Sequence, residues 1–333
     1  MPVDIDEFLQ PKILIVSGKG GVGKTTVAGA LALVAARRGH KVCIAEVDRK
    51  GTLPKMFGGG SLSYKPSELA PGVWGMNIVP DEALAEYLDV QYHMKRIAKV
   101  FSSTSFVDFV TATAPGLKDI LVLGKIWYLE QGRDNDRVQH NFDTIIVDAP
   151  AAGHMLTFLS APMGLSDAVQ VGPVRRQAEW IVQMLTDPKR TRVHLVTLAE
   201  EMPVSETIET AEALEKKIGI EAGAIFANAI YPAMLEKGDL ATLEEILADG
   251  DPQELYDVAR TVGLSLDRED LEALTGYARF LEARRAIQTK HLRALKKGVD
   301  SPVAELPFLF SAGLSLPGIE TIADAIEENV ESL

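Results

Sequence analysis

The chain of 333 residues holds a single cysteine, Cys43. One thiol makes neither an intrachain disulfide nor a CxxC metal site. Within an apolar run from Lys41 to Val47 it reads as a small buried core residue. No apolar stretch is long enough to span a bilayer. The opening MPVDIDEFLQPK lacks the basic and apolar regions of a signal peptide, so the expected compartment is cytoplasmic. Positive charge is scarce: 34 Lys and Arg stand against 47 Asp and Glu, a net charge of −13. That balance argues against non-specific nucleic-acid binding, which needs a basic face to displace counterions. The acidic end AIEENVESL does not resemble a basic amphipathic tail that would hold a protein on anionic lipid. Internal repeats, low-complexity tracts and a second phosphate-binding loop are also missing, so one nucleotide site per chain is expected.

What the chain does have is GKGGVGKTT, from Gly18 to Thr26. The apolar run KILIVS (Lys12 to Ser17) precedes it, and an alanine-rich helical pattern follows to Arg38. Strand, Gly-rich loop and helix N-terminus form the context of a Walker A phosphate-binding loop. Backbone N–H groups of Gly20, Gly21, Val22, Gly23, Lys24, Thr25 and Thr26 can close around phosphate oxygens, helped by the helix dipole. Lys24 can reach the β- and γ-phosphates and the Thr25 hydroxyl can ligate Mg²⁺. Lys19 is an extra cation, not required by an ordinary loop of this kind. It reads either as a solvated surface lysine or as a group aimed away from its own loop.

Hydrophobicity of 47% supports a large core, as one domain or a domain with a subdomain. Strand candidates are Lys12–Ser17, Lys41–Val47, Thr144–Asp148, Val193–Leu198, Ala224–Asn228 and Glu305–Phe310. They lack strict alternation, as in a parallel sheet covered on both faces. Gly39 reads as the C-cap of the loop helix, behind Arg37 and Arg38. Helical spacing marks Asp81–Leu88, Tyr92–Phe101 and Leu117–Leu129, and again Met155 to about Thr186. Asp267 or Asp270 can cap a long helix reaching about Lys297. The expected architecture is a single α/β domain over 1–333, with a mostly parallel central sheet. An α-helical subdomain built from about 80–140 and 155–186 is inserted in it.

Two carboxylates follow strands in the right order. Asp48 ends the second strand candidate, where it can orient or deprotonate a water or hold Mg²⁺ through water. A turn or helix-cap aspartate is the competing reading, and Glu46 is a second candidate for the role. Asp148 closes IIVD in the form of a Walker B strand and can accept from a metal-bound water or from Thr25. The AAGH that follows, with its small residues, suits a segment that moves with the γ-phosphate. Asn228 can donate and accept at a base edge, or cap the next helix. His93 and His194 read as structural. The methionines Met155, Met163 and Met184 read either as core or as part of a groove for an apolar client helix.

GKGGVGKTT resembles the deviant Walker A of the ParA, MinD, NifH and ArsA superfamily. DAPAAGH (Asp148 to His154) resembles the switch II signature of its ArsA branch, which includes the eukaryotic tail-anchored-protein targeting ATPase. Pro115-Gly116-Leu117 with Leu121 and Lys125, and DPKRTRVHLVTLAEEMPVSETIE with its P-x-x-E-T run at Pro203 to Thr207, resemble further segments of that branch. The resemblance runs through nearly the whole chain and is nearest to paired ArsA-like ATPases of actinobacteria. It implies a P-loop NTPase that binds ATP and Mg²⁺ and hydrolyses ATP as a homodimer or with a related ATPase. It implies that Lys19 contacts the partner's nucleotide, that Asn228 reads adenine and that Pro307 and Phe308 pack near the base. Lys19, Lys24 and Asp48 would be catalytic, and Thr25, Asp48 and Asp148 would serve the metal. The implied partner is a membrane protein or hydrophobic-helix client, not nucleic acid. One cysteine cannot supply the thiolate set that arsenite needs, nor a CxxC zinc site. In switch I, Asp48 to Lys55 (DRKGTLPK) keeps the first aspartate but loses the histidine and second aspartate of DPAHNLSD. That loss leaves open a low-turnover regulatory subunit as the alternative to an active ATPase. A DNA- or membrane-positioning ATPase fits the acidic charge less well.

Overall fold

The computed structural model describes residues 4–47, 51–92, 116–132, 141–236, 238–250, 252–311 and 315–332. Asp48, most of the Tyr92–Phe101 helix candidate, His93 and Pro115 lie outside them.

After a short helix α1 (Ile5–Phe8), strand β1 (Ile13–Gly18) leads through the Gly-rich loop into α2 (Lys24–Arg37). Then come β2 (Val42–Glu46), α3 (Thr52–Met56), β3 (Ser67–Ala70) and β4 (Val73–Asn77). Helices α4 (Pro80–Tyr92) and α5 (Leu117–Glu130) precede β5 (Thr144–Ala151), followed by α6 (Ala152–Ala168) and α7 (Pro173–Thr186). The second half holds β6 (Thr191–Leu198), α8 (Glu201–Ala213) with a closing π-turn, and β7 (Ala222–Ile230). It ends with α9 (Asp239–Asp249), α10 (Gln253–Thr261), α11 (Arg268–Gly298), β8 (Val303–Pro307) and α12 (Leu316–Ser332).

The eight strands form one sheet in the order β3-β4-β2-β5-β1-β6-β7-β8, parallel except for the edge strand β3. Strand β1 divides the order: earlier-half strands lie on one side and β6, β7 and β8 on the other. The crevice at the carboxyl end of such a dividing strand is where open α/β sheets bind ligands. Alternate residues of the central strands feed two cores. Ile13, Ile15, Ile145 and Val147 point into the layer of α5, α6 and α7. Leu14, Val16, Ile44 and Ile146 point into the layer of α2 and α12. This double cover explains why the strands read as continuous apolar runs. Helix α2 is itself apolar on nearly all sides because sheet and α12 sandwich it. Cys43 is buried in the first of these cores.

All six strand candidates are present, some with ends shifted by one to three residues, but β3 and β4 had no reading. They are short, and Gly72 and Gly75 interrupt the apolar signal. Gly75 has a packing reason: a Cβ there would meet Leu69 at 2.6 Å. Of the two aspartates the sequence offers as a cap for α11, Asp267 takes the N-cap position and closes a full capping box with Asp270. Helices α4, α5, α6 and α7 pack in series on one face. Lys125 of α5 is buried there, 2.9 Å from Glu86 of α4, with Tyr64 also donating to Glu86. Among the described residues, no helix is long and apolar enough to cross a membrane.

His194 of β6 is structural. Its ring lies between Phe8 and Phe226, and Nδ1 accepts from the backbone N–H of Ala224 at 3.1 Å. Burial, with a contribution from Arg192, pushes its pKa down from 6.5 to about 3. The unfolded chain therefore takes up a proton between those values while the folded one does not. Stability is full above pH 6.5 and falls as pH drops towards 3. The loss expected between pH 8 and pH 5 is about 2 kcal/mol. Urea unfolding at the two pH values checks it. In His194→Gln, whose amide oxygen can still accept from Ala224, that component of the loss should vanish.

Candidate functional site

The Gly-rich loop is seated on its neighbours with no room to spare. Gly18 adopts φ 151°, and a Cβ there would lie 2.1 Å from the Val196 carbonyl oxygen of β6. Gly23 adopts φ 97° as the N-cap of α2, and its Cβ would lie 2.2 Å from the Asn228 amide nitrogen at the end of β7. Glycine is required at both places, for backbone conformation and for space. The result is a left-handed turn at Gly21 and Gly23 running into a helix N-terminus, the geometry that presents backbone N–H groups to an anion.

Lys24 is the first residue of α2 and is buried. Its Nζ donates to the Lys19 carbonyl at 2.9 Å, so the cation folds back over its own loop. Thr25, one residue on, donates its hydroxyl to Oδ2 of Asp148 at 2.7 Å. Asp148 is fully buried in β5, in register with Val16 on one side and Glu46 on the other. Ser17 donates to the Pro150 carbonyl at 2.7 Å, tying the end of β1 to the strand carrying Asp148. The Gly-rich loop and the buried carboxylate of β5 are thus joined by a direct bond. A threonine hydroxyl beside a buried carboxylate is a hard-oxygen pair, the donor chemistry that suits Mg²⁺.

Asn228 donates its amide to the Val22 carbonyl at 2.9 Å, so the end of β7 also holds the loop. Beyond it Ala229 takes the left-handed conformation at φ 58°, unusual for a residue with a Cβ. Gln288 of α11, itself buried, holds this turn from both sides. Its amide nitrogen donates to the Ala229 carbonyl at 2.8 Å, and its oxygen accepts from Tyr231 N–H at 2.9 Å. Arg285 adds a bond to the Tyr231 carbonyl. Phe308 donates its N–H to Ile230, and its ring stacks on Tyr231 at 4.6 Å, just past Pro307 at the end of β8.

The structure therefore brings Gly18 to Thr26, Asp148 and Asn228 together, with Phe308 stacked on the segment that follows Asn228. Lys19 points off the loop, its Nζ 3.0 Å from Glu206 of α8. Asp48 follows β2 within the undescribed stretch 48–50, whereas the other second-strand carboxylate, Glu46, is buried in register with Asp148. His154 is exposed in the first turn of α6, close enough to oppose the rise that burial imposes on the Asp119 carboxyl in α5. Sequence reasoning missed Gln288, Tyr231 and Glu206 as site neighbours. Glu206 lies inside the P-x-x-E-T run, but nothing in the sequence pairs it with Lys19. The Gln288 contact spans 57 to 59 residues and has no local signature.

The sequence model described as Anion-transporting ATPase matches residues 11–174 and 170–246. ATPase BagA of Mycobacterium tuberculosis is 36% identical over 245 residues, covering 72% of this chain and 71% of that protein. The arsenical pump-driving ATPase of Escherichia coli is 27% identical over 254 residues, 70% of this chain but 42% of that protein. Its counterpart in Acidiphilium multivorum is 27% identical over 241 residues, covering 67% of this chain and 40% of that protein. With the family match spanning most of the chain and the site built as a P-loop NTPase, this protein belongs to the anion-transporting (ArsA-type) ATPase family.

Proposed function

We propose that the chain is an ATP-driven switch: a Mg²⁺-dependent ATPase that closes on ATP as a homodimer or with a related ATPase, and relays its state to a partner protein. The observation that carries this reading is the 2.7 Å bond from Thr25 to Asp148, beside a lysine already folded over the phosphate loop. Loop N–H groups and Lys24 bind and orient the β- and γ-phosphates, Lys24 giving up the Lys19 carbonyl in exchange. Thr25 and Asp148 would hold Mg²⁺, which when bound would neutralise phosphate charge. Asp48, two residues beyond β2, orients the attacking water and takes its proton. Asn228 reads the adenine edge, with Pro307 and Phe308 beside the base. Switch II, from Asp148 to His154, runs straight into α6. The helical layer α4 to α7 is therefore the part that moves with the γ-phosphate and faces the partner. A second reading, a nucleotide-holding subunit with little turnover, is favoured by the switch I sequence Asp48 to Lys55.

Phosphate release by the wild type against Lys24→Ala and Asp48→Asn separates the two. The switch reading expects turnover that falls at least about a hundredfold in both variants. Equal residual rates in all three chains would leave the holding subunit.

Lys19 and Glu206 should give effects of opposite sign. Half-exposed ion pairs contribute up to about 1 kcal/mol. Glu206→Ala therefore frees Lys19 and raises the rate up to about fivefold at low protein concentration. Lys19→Ala lowers kcat by about a hundredfold or more. Rate measured against protein concentration checks both, because only a cross-subunit lysine makes the effects concentration-dependent.

Gln288 is a positioning residue for the base site. Left-handed Ala229 costs about 1 kcal/mol, and two buried amide bonds contribute about that much each, so the clamp decides the conformation. In Gln288→Met the KM for ATP should rise about tenfold with kcat little changed. Adding Ala229→Gly, which removes the strain, should restore part of it. Steady-state kinetics with ATP and GTP provide the check.

A further inference from the structure

An apolar cleft of about 790 Å³ opens between α11, α10, α9 and the segment after β7. Its floor is one stripe of α11: Leu271, Leu274, Ala278, Leu281 and Arg285 follow at three- and four-residue spacing. Its walls leave large apolar side chains in water, among them Val258 at 63%, Leu264 at 55%, Met234 at 61% and Leu274 at 51% exposure. Contiguous exposure of this kind on a folded chain marks a docking surface. The lining runs along α11 from Leu271 to Thr289, about 27 Å at the helical rise. That is the length of a five-turn helix and too long for a compact small molecule.

Charge selects among occupants. From Glu236 to Thr289, the stretch that lines most of the cleft, the sequence carries thirteen carboxylates and six basic residues, of which Arg279 pairs with Glu244 and Arg285 bonds the Tyr231 carbonyl. Of the basic ones, Arg260 and Arg268 are already bonded to Asp257 and Glu272. Glu236 and Glu282 stand on the lip of the cleft. A second copy laid face to face would set acidic rim against acidic rim, and an anionic bilayer would be repelled in the same way. We infer that the α9–α10–α11 cleft docks an amphipathic helix of a partner protein that presents an apolar stripe flanked by lysine or arginine. This goes beyond the partner reading proposed above, because the cleft is a surface apart from the α4–α7 layer, and it does not depend on ATP turnover, because the cleft lies on α11 and not on the phosphate loop.

The test uses the full chain without nucleotide and a fluorescent peptide of about 18 residues, with leucines at i, i+3, i+4 and i+7 spacing and lysines on the remaining face. A leucine–glutamate peptide of the same pattern is the control. Val258→Ser with Leu274→Ser alters two exposed side chains, so folding should be retained, and a melting curve verifies it. The expected result is saturable binding of the lysine peptide, weaker with added salt, at least about tenfold weaker in the double variant and absent for the glutamate peptide. Equal binding by wild type and variant, or equal binding of the two peptides, would overturn the inference. So would a wild-type dimer that the double variant converts to monomer, or vesicle binding lost in that variant. An ATPase assay on the same preparations separates this outcome from failure of the switch reading.

Discussion

The phosphate loop has its shape because two neighbouring strand ends leave it no other. Where Gly18 crosses β6 and Gly23 meets Asn228, a single methyl group would overlap a carbonyl oxygen or an amide nitrogen. Once the backbone is pinned at those two points, Lys24 and Thr25 follow as the first residues of α2. Their directions are then fixed: Lys24 back over the loop, Thr25 onto Asp148. Four adjacent strands, β5, β1, β6 and β7, therefore act as one mould. The buried, doubly covered sheet matters to function because any slip in its register would move Val196 or Asn228 relative to the loop.

The same seating couples the Gly-rich loop to the helices beyond β5. Asp148 and Ala149 are the last fully buried residues before β5 leaves the core, and four residues after Asp148 the chain is already in α6. No slack linker separates the carboxylate facing Thr25 from the helix that packs on α5 and α7. Buried Lys125 and Glu86 tie α5 to α4, so those two helices are held by a charge pair whose separation would strand a buried ion. A shift of the segment from Asp148 to His154 is thus more readily passed on as movement of packed helices than absorbed locally.

Much of this was legible in the sequence, and the limits are instructive. The strand, Gly-rich loop and helix around Gly18 to Thr26, the apolar strand that holds Asp148 and a cap at Asp267 or Asp270 could be read because each is a local pattern: a few residues whose spacing is set by one turn of backbone. Strands β3 and β4 escaped because they are short and glycine-interrupted, and they lie at the edge of the sheet, where burial no longer enforces a long apolar run. Helices α9 and α10 were not read either. The Gln288 clamp and the Lys19–Glu206 pair were invisible for a different reason. Each joins segments far apart in the chain through ordinary polar residues, and only the fold brings them together. Asn228 was legible as a polar residue at a strand end, but its bond to Val22 was not.

Helix α11 gathers these threads. At 31 residues it is far longer than is needed to return the chain from α10 to β8. Its C-terminal half supplies Gln288 and Arg285 to the strained turn behind Asn228, and its N-terminal half floors the apolar cleft. Arg285 belongs to both, lining the cleft while bonded to Tyr231. Water-exposed leucines and valines gain nothing for folding, whereas the buried amide of Gln288 is fully used. One rigid element thus carries a satisfied polar clamp at the nucleotide end and an unsatisfied apolar face at the other. The cleft stripe of Leu271, Leu274, Ala278, Leu281 and Arg285 runs on at the same spacing into Gln288, Leu292 and Leu295, so a load laid on it bears on the face of the helix that holds the turn behind Asn228.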